Sequence, residues 1–599
     1  SEPPMSRKEL RSIYSERIEQ FEAAIRRQTA KINLLSLARL LTLVAAVWSA
    51  VHGIKHQSLL FYVFSAAMVP LFLALVSLYN KHKEQRELYK ELRSLNRVEL
   101  ACLDHDYHHL PDGSEFADTS HPWSNDLDLF GTGSLFQYLN RTSTLNGGQQ
   151  LAGILTSEPG GVEPISKRQA MVADLKDRLD FRQTFCARGR LVEEKAGDFG
   201  DLSRWLNTPA YIRRYPWLVY LALLVSATSL TVLIWGLFDH RMFWFLLLIL
   251  AFSLTVLSPF LMRTNRYQEL ISKKHRLLQG YAELLKIIAS QSFTHPELRS
   301  NGQQARKGMK EVRQLSRLMN AFDQRLSMLL GVVLNGFFLF DFIMLHLLER
   351  WKERNQQQIL EWIGICGWND AMISLSGFAW NHPDFTLPLL EEDAKSMELA
   401  GLGHPLIPGG KRVVNGLDLT GEKIVVITGA NMAGKSTFLR SLGVNMVLAY
   451  AGCPVCATGF RCAYMGLYSS MRTADSLKDE ESYFLAEIRK LQLIVQEMLT
   501  GRPLMILLDE VLKGTNTTDK KLGSVGLIRK SILYPVRCFI ATHDLSLGEL
   551  EKEHKGEVIN YCFESYIRGM ELSFDYTIRK GVATNMNASF LMKQMGIMD

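Results

Sequence analysis

Lys423-Ile424-Val425-Val426-Ile427-Thr428-Gly429-Ala430-Asn431-Met432-Ala433-Gly434-Lys435-Ser436-Thr437 decides how this chain is read. Its first six residues form a short apolar, β-branched run, which predicts a buried strand. The next nine fit G-x-x-x-x-G-K-[ST]. Glycine lets the backbone wrap close to phosphates, so that amide N–H groups and the N-terminus of a helix through Phe438-Leu439-Arg440 face the anion. Gly429, Ala430, Asn431, Met432, Ala433, Gly434, Lys435, Ser436 and Thr437 are therefore the expected cradle for ATP. Lys435 is expected to reach the β- and γ-phosphates, and Ser436 to ligate Mg²⁺.

Two further runs support this chemistry. Leu504-Met505-Ile506-Leu507-Leu508 predicts a second buried strand that ends in Asp509-Glu510. An acidic pair there suits phosphate transfer, with Asp509 holding Mg²⁺ through water and Glu510 polarising the attacking water. Arg537-Cys538-Phe539-Ile540-Ala541 predicts a third strand, ending in Thr542-His543-Asp544, where His543 could sense the γ-phosphate. The three motifs in this order predict a protein that binds and hydrolyses ATP.

Around this block the chain is long and unusually apolar. Its 599 residues imply several domains, and 47% apolar content with a net charge of +7 excludes disorder as the main theme. Eight cysteines without a secretory leader argue against a disulfide scaffold. Gln57 to Asn80, Pro216 to Phe238 and Met242 to Met262 carry no Asp, Glu, Lys or Arg. Each exceeds the ~20 residues that cross the hydrocarbon as a helix. Leu40 to Ile54 is shorter and spans only if Arg39 snorkels and 33–38 join the helix. The runs pair into two tight hairpins, with Trp48, Trp217, Trp235 and Trp244 near their ends. Lys and Arg crowd every long flank, whereas the connectors hold only Lys55 and Arg241, so the positive-inside rule places the long segments in the cytoplasm.

Other stretches are read more simply. Segments 5–38, 81–104 and 265–330 suit long amphipathic helices. Asp106 to Asp128, with Pro111, Gly113 and Pro122, reads as a linker. Met328 to Leu348 is apolar but includes Asn335 and Asp341, and is expected to be a buried helix outside the membrane, because an unpaired mid-membrane Asp is costly. Cys453-Pro454-Val455-Cys456 with Cys462 lacks a fourth ligand at zinc spacing and reads as buried thiols.

Several of these stretches resemble the MutS family. Thr428 to Thr437 is similar to its T-G-P-N-M-G-G-K-S-T, with Ala430 and Ala433 at a proline and a glycine. Leu508 to Asp519 resembles the D-E-x-G-R-G-T-S-T-x-D segment, and Ala541-Thr542-His543 matches A-T-H. Asp475-Ser476 through Ser482-Tyr483-Phe484-Leu485-Ala486-Glu487 resembles the signature region, which implies that Ser482 faces the ATP of a partner subunit. Gly133 to Phe136 and Leu139 to Gly148 resemble the start of the family's lever core; Gly403-His404-Pro405 and Asn415 resemble its approach to the nucleotide. The resemblance implies a homodimer with composite ATP sites and DNA as a partner. There are departures. Phe21-Glu22, in a charged helical stretch, is no equivalent of the aromatic mismatch wedge. The second hairpin falls where the family inserts its DNA clamp, and the C-terminal dimerising helices are expected to be short.

The expected fold is a mainly α-helical lever core with two transmembrane hairpins and a C-terminal α/β P-loop (ABC-type) ATPase domain. Expected boundaries are 1–38 for an N-terminal cytoplasmic helix, 39–80 for the first hairpin, 81–124 for a helix and linker, and 125–215 for the first part of the core. The second hairpin follows at 216–262, the rest of the core at 263–400, and the ATPase domain at 401–599. The expectation is a multi-pass cell-membrane protein with four spanning helices, contacting lipid through both hairpins, with termini and ATPase in the cytoplasm. It would be a MutS-like ATPase acting on mismatched or branched DNA, or an ATP-driven membrane machine that uses the same motor without DNA.

Overall fold

The computed structural model of the chain describes residues 5–236, 238–393, 395–471, 483–512, 516–568 and 571–584. Up to Asn381 these residues are almost entirely helical, and beyond it lies an α/β domain with two sheets. The helical part starts with two very long antiparallel helices, Arg7–His56 and Leu59–Leu103. At 1.5 Å per residue the first is about 75 Å long. Ser6 and Glu9 form a capping box at its start, and Gln57 turns the chain at φ 47°. At the tip Gly53 brings the helices together: a Cβ there would lie 3.2 Å from Tyr62.

Along the distal half, leucines, valines and aromatics from Leu34 to Leu78 face outward and cover nothing. Arg39 does not run along its own helix; its guanidinium stacks across the pair on Tyr79 and Phe72, at 4.7 and 5.7 Å. Hydroxyls in this half bond backbone carbonyls, Ser49 to Phe61 and Ser65 to Ala46, which satisfies them without water. The proximal half is anchored in protein. Tyr14 donates to Asn381 at 2.6 Å, and Glu99 pairs with Arg141 at 2.7 Å. Phe21 stacks on Tyr89 between the two helices, so it serves packing.

The second pair, Trp217–Gly236 and Phe243–Leu257, continues through Ser258–Phe260 into Leu261–Ile271 and is likewise studded with exposed apolar side chains. Together with the first pair this makes four helices long and apolar enough to cross a membrane, by length and composition. The buried carboxylate of Glu349 roots the pair in the helical core by accepting from the backbone N–H groups of Tyr211, Ile212 and Arg213.

The stretch read as one buried helix is two. Met328–Phe338 and Phe340–Asn355 meet at 87°, with Leu339 between them at φ 46°. The second helix is packed in protein, but the first exposes Met328, Leu329, Leu330, Val332 and Val333. Asp341 is completely buried and is paired, its carboxylate 2.9 Å from Arg325 and 3.0 Å from Asn335. A charge partner 16 residues upstream removes the objection that an Asp raises to lying here.

The core of the helical part is Ile359–Asn381, buried along nearly its whole length. Asp370, fully buried in it, caps the helix Leu145–Thr156 by accepting from the N–H groups and hydroxyls of Ser143 and Thr144. Gly147 is required by this contact, since a Cβ there would meet the Asp370 carboxylate at 2.3 Å. The stretch 106–128 is no free linker. Tyr107, Trp123 and Leu127 are buried, and Asp126 accepts from Ser469 at 2.7 Å, tying the helical part to the α/β domain.

In the α/β domain a six-stranded sheet runs β10-β9-β4-β8-β7-β6. Its strands are β4 Ile424–Gly429, β6 Gly466–Ser470, β7 Leu504–Asp509, β8 Val536–Thr542, β9 Val558–Arg568 and β10 Glu571–Lys580. All pairs are parallel except β9–β10. β4 and β8 are buried at every residue, as unbroken apolar runs covered on both faces must be. A smaller sheet, ordered β1-β5-β2-β3, packs beside it, with β1 Leu389–Glu391, β2 Met397–Leu402, β3 Asn415–Leu419 and β5 Gly459–Ala463. The CPVC cysteines turn inward: Cys453 Sγ faces the Leu375 carbonyl, while Cys462 Sγ lies 3.9 Å from Met446 Sδ.

Candidate nucleotide site

The carboxyl ends of β4, β7 and β8 lie side by side, and the three predicted motifs follow directly from them. That is the edge of a parallel sheet at which ligands bind. β4 ends at Gly429, where backbone approach is close: a Cβ would stand 2.7 Å from the Phe563 carbonyl oxygen of β9. The chain turns through Met432 at φ 68° and Gly434 at φ 108° before entering the helix Lys435–Tyr450. The first N–H groups of that helix have no partners within it and face the loop. Lys435 is buried, and its ammonium donates to the carbonyls of Gly429 and Ala430 at 2.8 and 2.9 Å.

A cavity of about 660 Å³ opens in front of this loop. Its lining includes Asn431 to Phe438, Asp509, Glu510 and Asn415. Ser436 and Asp509, expected around Mg²⁺, thus line the same cavity. Glu510 leaves β7 at φ 57°; its N–H donates to Ala541 at the end of β8, and its carboxylate meets His543 Nδ1 at 2.7 Å. The acid and the histidine predicted from separate strands are therefore one hydrogen-bonded pair. Leu512 follows, also left-handed at φ 60°, and its N–H donates to Glu487 at 2.5 Å. Glu487 comes from the helix Tyr483–Leu499, so the start of that helix holds the turn carrying Glu510. Asn516 caps the next helix, Thr517–Ile532, by accepting from Asp519. Ser482, the residues from 472 before it, 513–515 and 585–599 lie outside the described residues.

Asn415, expected on the approach to the nucleotide, is tied to β10. It lines the cavity, but its amide is engaged on both sides: Nδ2 donates to the Tyr576 carbonyl at 3.1 Å and Oδ1 accepts from Ile578 N–H at 2.8 Å. Those residues flank an irregularity in β10, where Tyr576 sits at φ 55°. Asn415 thereby pins a bulge whose tyrosine stands at the cavity mouth, within van der Waals reach of Gly434. Tyr576 has no motif in the sequence, and only the bulge brings it here.

The lining also includes Leu402, Ile407 and Val413, together with Lys411 and His404. Burial, with the charges of Arg440 and Arg412 nearby, pushes the His404 imidazole down to about 4 and keeps it neutral. The lining thus divides by chemistry into the glycine-rich loop, lysines and carboxylates on one hand and apolar and aromatic side chains on the other. That division fits a molecule with a polyphosphate at one end and a flat ring at the other.

Residues 425–594 match MutS domain V. A DNA mismatch repair protein MutS from Thermotoga sp. (strain RQ2) is 31% identical over 220 residues, covering 36% of this chain and 27% of the relative. The MutS of Halalkalibacterium halodurans is 32% identical over 180 residues, 28% of this chain and 20% of the relative. The DNA mismatch repair protein MSH3 of Debaryomyces hansenii is 25% identical over 248 residues, 38% of this chain and 24% of the relative. The chain therefore spans only about a quarter of the length of the curated relatives it matches. Through this C-terminal region the chain is similar to the MutS family.

Proposed function

We propose that the protein is a Mg²⁺-dependent ATPase of the MutS type, anchored in a membrane by its two helical hairpins and working as a dimer. The observation that carries the ATPase reading is the convergence of Asn431–Thr437, Asp509 and Glu510, the last bonded to His543, on one cavity. The N–H groups at the start of the helix Lys435–Tyr450 would take the phosphates, and Lys435 would exchange its two loop carbonyls for phosphate oxygens. Ser436 and Asp509 would hold Mg²⁺, which when bound neutralises charge on the β- and γ-phosphates. Glu510, oriented by His543, would hold and polarise the attacking water, and the base would lie between Tyr576 and the apolar side chains of the lining.

The membrane reading rests on the exposed apolar surfaces of both hairpins, which have no partner in the fold, and on the basic flanks that set their orientation. It places the ATPase domain in the cytoplasm of a multi-pass cell-membrane protein. The dimer reading rests on the family: Ser482 would complete the partner's ATP site. ATP would close two such domains on each other, and the helical core would carry that closure to the hairpins.

DNA binding is the second reading. Supporting it are the relatives' names, DNA mismatch repair proteins, and an exposed face of the helix Pro296–Asp323 carrying Arg306, Lys307, Lys310 and Arg317. One experiment tests both: ATP turnover by the protein in lipid nanodiscs, with matched, mismatched and branched duplexes across a salt series and Lys435→Ala as the blank. Turnover absent in the wild type refutes the ATPase reading. Binding that falls steeply with salt and alters turnover supports DNA; turnover indifferent to every duplex leaves membrane work as the function.

A further inference from the structure

The helix Met328–Phe338 exposes several consecutive apolar side chains, and it adjoins the second hairpin. Gly336 packs so closely on the hairpin's second helix that a Cβ would meet Leu250 at 2.3 Å. The Phe338 carbonyl accepts from Ser226 of its first helix at 3.3 Å. Beyond these contacts Met328, Leu329, Leu330, Val332 and Val333 cover nothing, and Met328 and Leu329 are each more than four-fifths exposed.

The chain enters and leaves this element on the same side. Before it, Arg325 bonds Asn265, in the helix that follows the hairpin. After it, the helix Phe340–Asn355 returns to Tyr211–Arg213, just ahead of the hairpin, and is held there by Glu349. A segment of 11 residues is also too short to span the hydrocarbon. Its 87° angle to the returning helix, which packs along the hairpin's first helix, lays it across the hairpin.

We infer that Met328–Phe338 is an in-plane membrane helix, embedded in the acyl chains of the leaflet nearer the α/β domain and turned back by the sealed Arg325–Asp341–Asn335 cluster. This rests on the membrane reading of the second hairpin, whose exposed apolar surface the helix continues. Exposed Arg263 and Arg266 on the neighbouring helix lie where they would meet anionic headgroups. The helix follows directly on the 28-residue helix Pro296–Asp323, so movement of that long helix would be delivered to one leaflet.

The test uses the full chain in nanodiscs of brominated or unbrominated phosphatidylcholine and phosphatidylglycerol. All eight native cysteines are buried, so single cysteines can be read against a low background. Leu329→Cys and Val333→Cys probe the helix, Leu247→Cys the hairpin, and Leu387→Cys, exposed just ahead of β1 in the α/β domain, water. A membrane-impermeant maleimide should label the first three at least about 10-fold more slowly than Leu387→Cys. A bimane placed on Leu329→Cys in detergent before reconstitution should be quenched by brominated acyl chains. If Leu247→Cys is protected while Leu329→Cys and Val333→Cys label as fast as Leu387→Cys, the inference is wrong and the hairpin reading stands. If Leu247→Cys also labels fast, the hairpin reading itself fails. Protection of Leu329→Cys without quenching would mean that protein, not lipid, covers the helix, and would overturn the inference.

Discussion

Replacing Asn415 with alanine tests whether this residue serves the nucleotide directly or through Tyr576. Its amide makes two hydrogen bonds across the β10 bulge, at 3.1 and 2.8 Å, and Tyr576 is held between them at φ 55°. A non-glycine residue in that region costs about 1–2 kcal/mol. Two net hydrogen bonds at about 1 kcal/mol each just offset it. Without Asn415 the balance tips, and the bulge relaxes to conformations that carry Tyr576 away from the cavity mouth. An aromatic stacking contact contributes about 0.5–1.5 kcal/mol beyond buried area. Losing it should raise the Kd for ATP about 3–10-fold. The assay is titration of a ribose-labelled fluorescent ATP, with inorganic tripolyphosphate as competitor; the competitor, having no base, should bind wild type and variant alike. Tyr576→Ala should show the same weakening, and the double variant should be no weaker than either single one. Effects that multiply in the double variant, or an equal loss of tripolyphosphate binding, would refute the argument and return Asn415 to direct phosphate contact.

Further outcomes are expected at the same site and in the core. Glu510→Gln should keep ATP binding and lose turnover about 10²–10⁴-fold, measured by phosphate release; undiminished turnover would dismiss its role in activating water. Lys435→Ala should abolish detectable ATP binding in the same titration. Asp370→Asn leaves an amide facing the donors of Ser143 and Thr144, and should cost about 3 kcal/mol, read as a lowered urea midpoint. His382 donates from Nδ1 to the Phe378 carbonyl and accepts from the Tyr138 hydroxyl at Nε2, and burial pushes it down to about 4. A depressed histidine pKa means that the unfolded chain takes the proton first, so stability is whole above about pH 6.5 and is lost as pH falls toward 4. Near pH 5 the loss is about 2 kcal/mol from His382 and a similar amount from His404. Asp370 opposes them: burial raises it to about 6, so it adds stability over the same descent. His382→Gln should therefore flatten the fall in thermal midpoint between pH 7 and 5.

The loop and strands of the α/β domain were legible because their signals are local. A run such as Ile424 to Thr428 states its own burial, and the glycines, Lys435 and Ser436 sit at the spacing that one loop requires. Likewise the apolar runs in the hairpins declare long helices. Met328 to Leu348 was misread for the complementary reason. Composition shows an aspartate in an apolar run, and only the fold shows that Arg325 neutralises it and that Leu339 breaks the helix beside it.

What the sequence by itself determined is the glycine-rich loop with its flanking strands and the long apolar helices, since both follow from residue type and short-range periodicity. The tertiary structure decided which groups act together. It joined Glu510 to His543 across two strands, set Glu487 behind the turn that carries Glu510, and tied Asn415 to the β10 bulge at Tyr576. Such pairs form between side chains tens to hundreds of residues apart, held at hydrogen-bond distance by strand register and helix packing. A spacing pattern along the chain carries no record of that proximity.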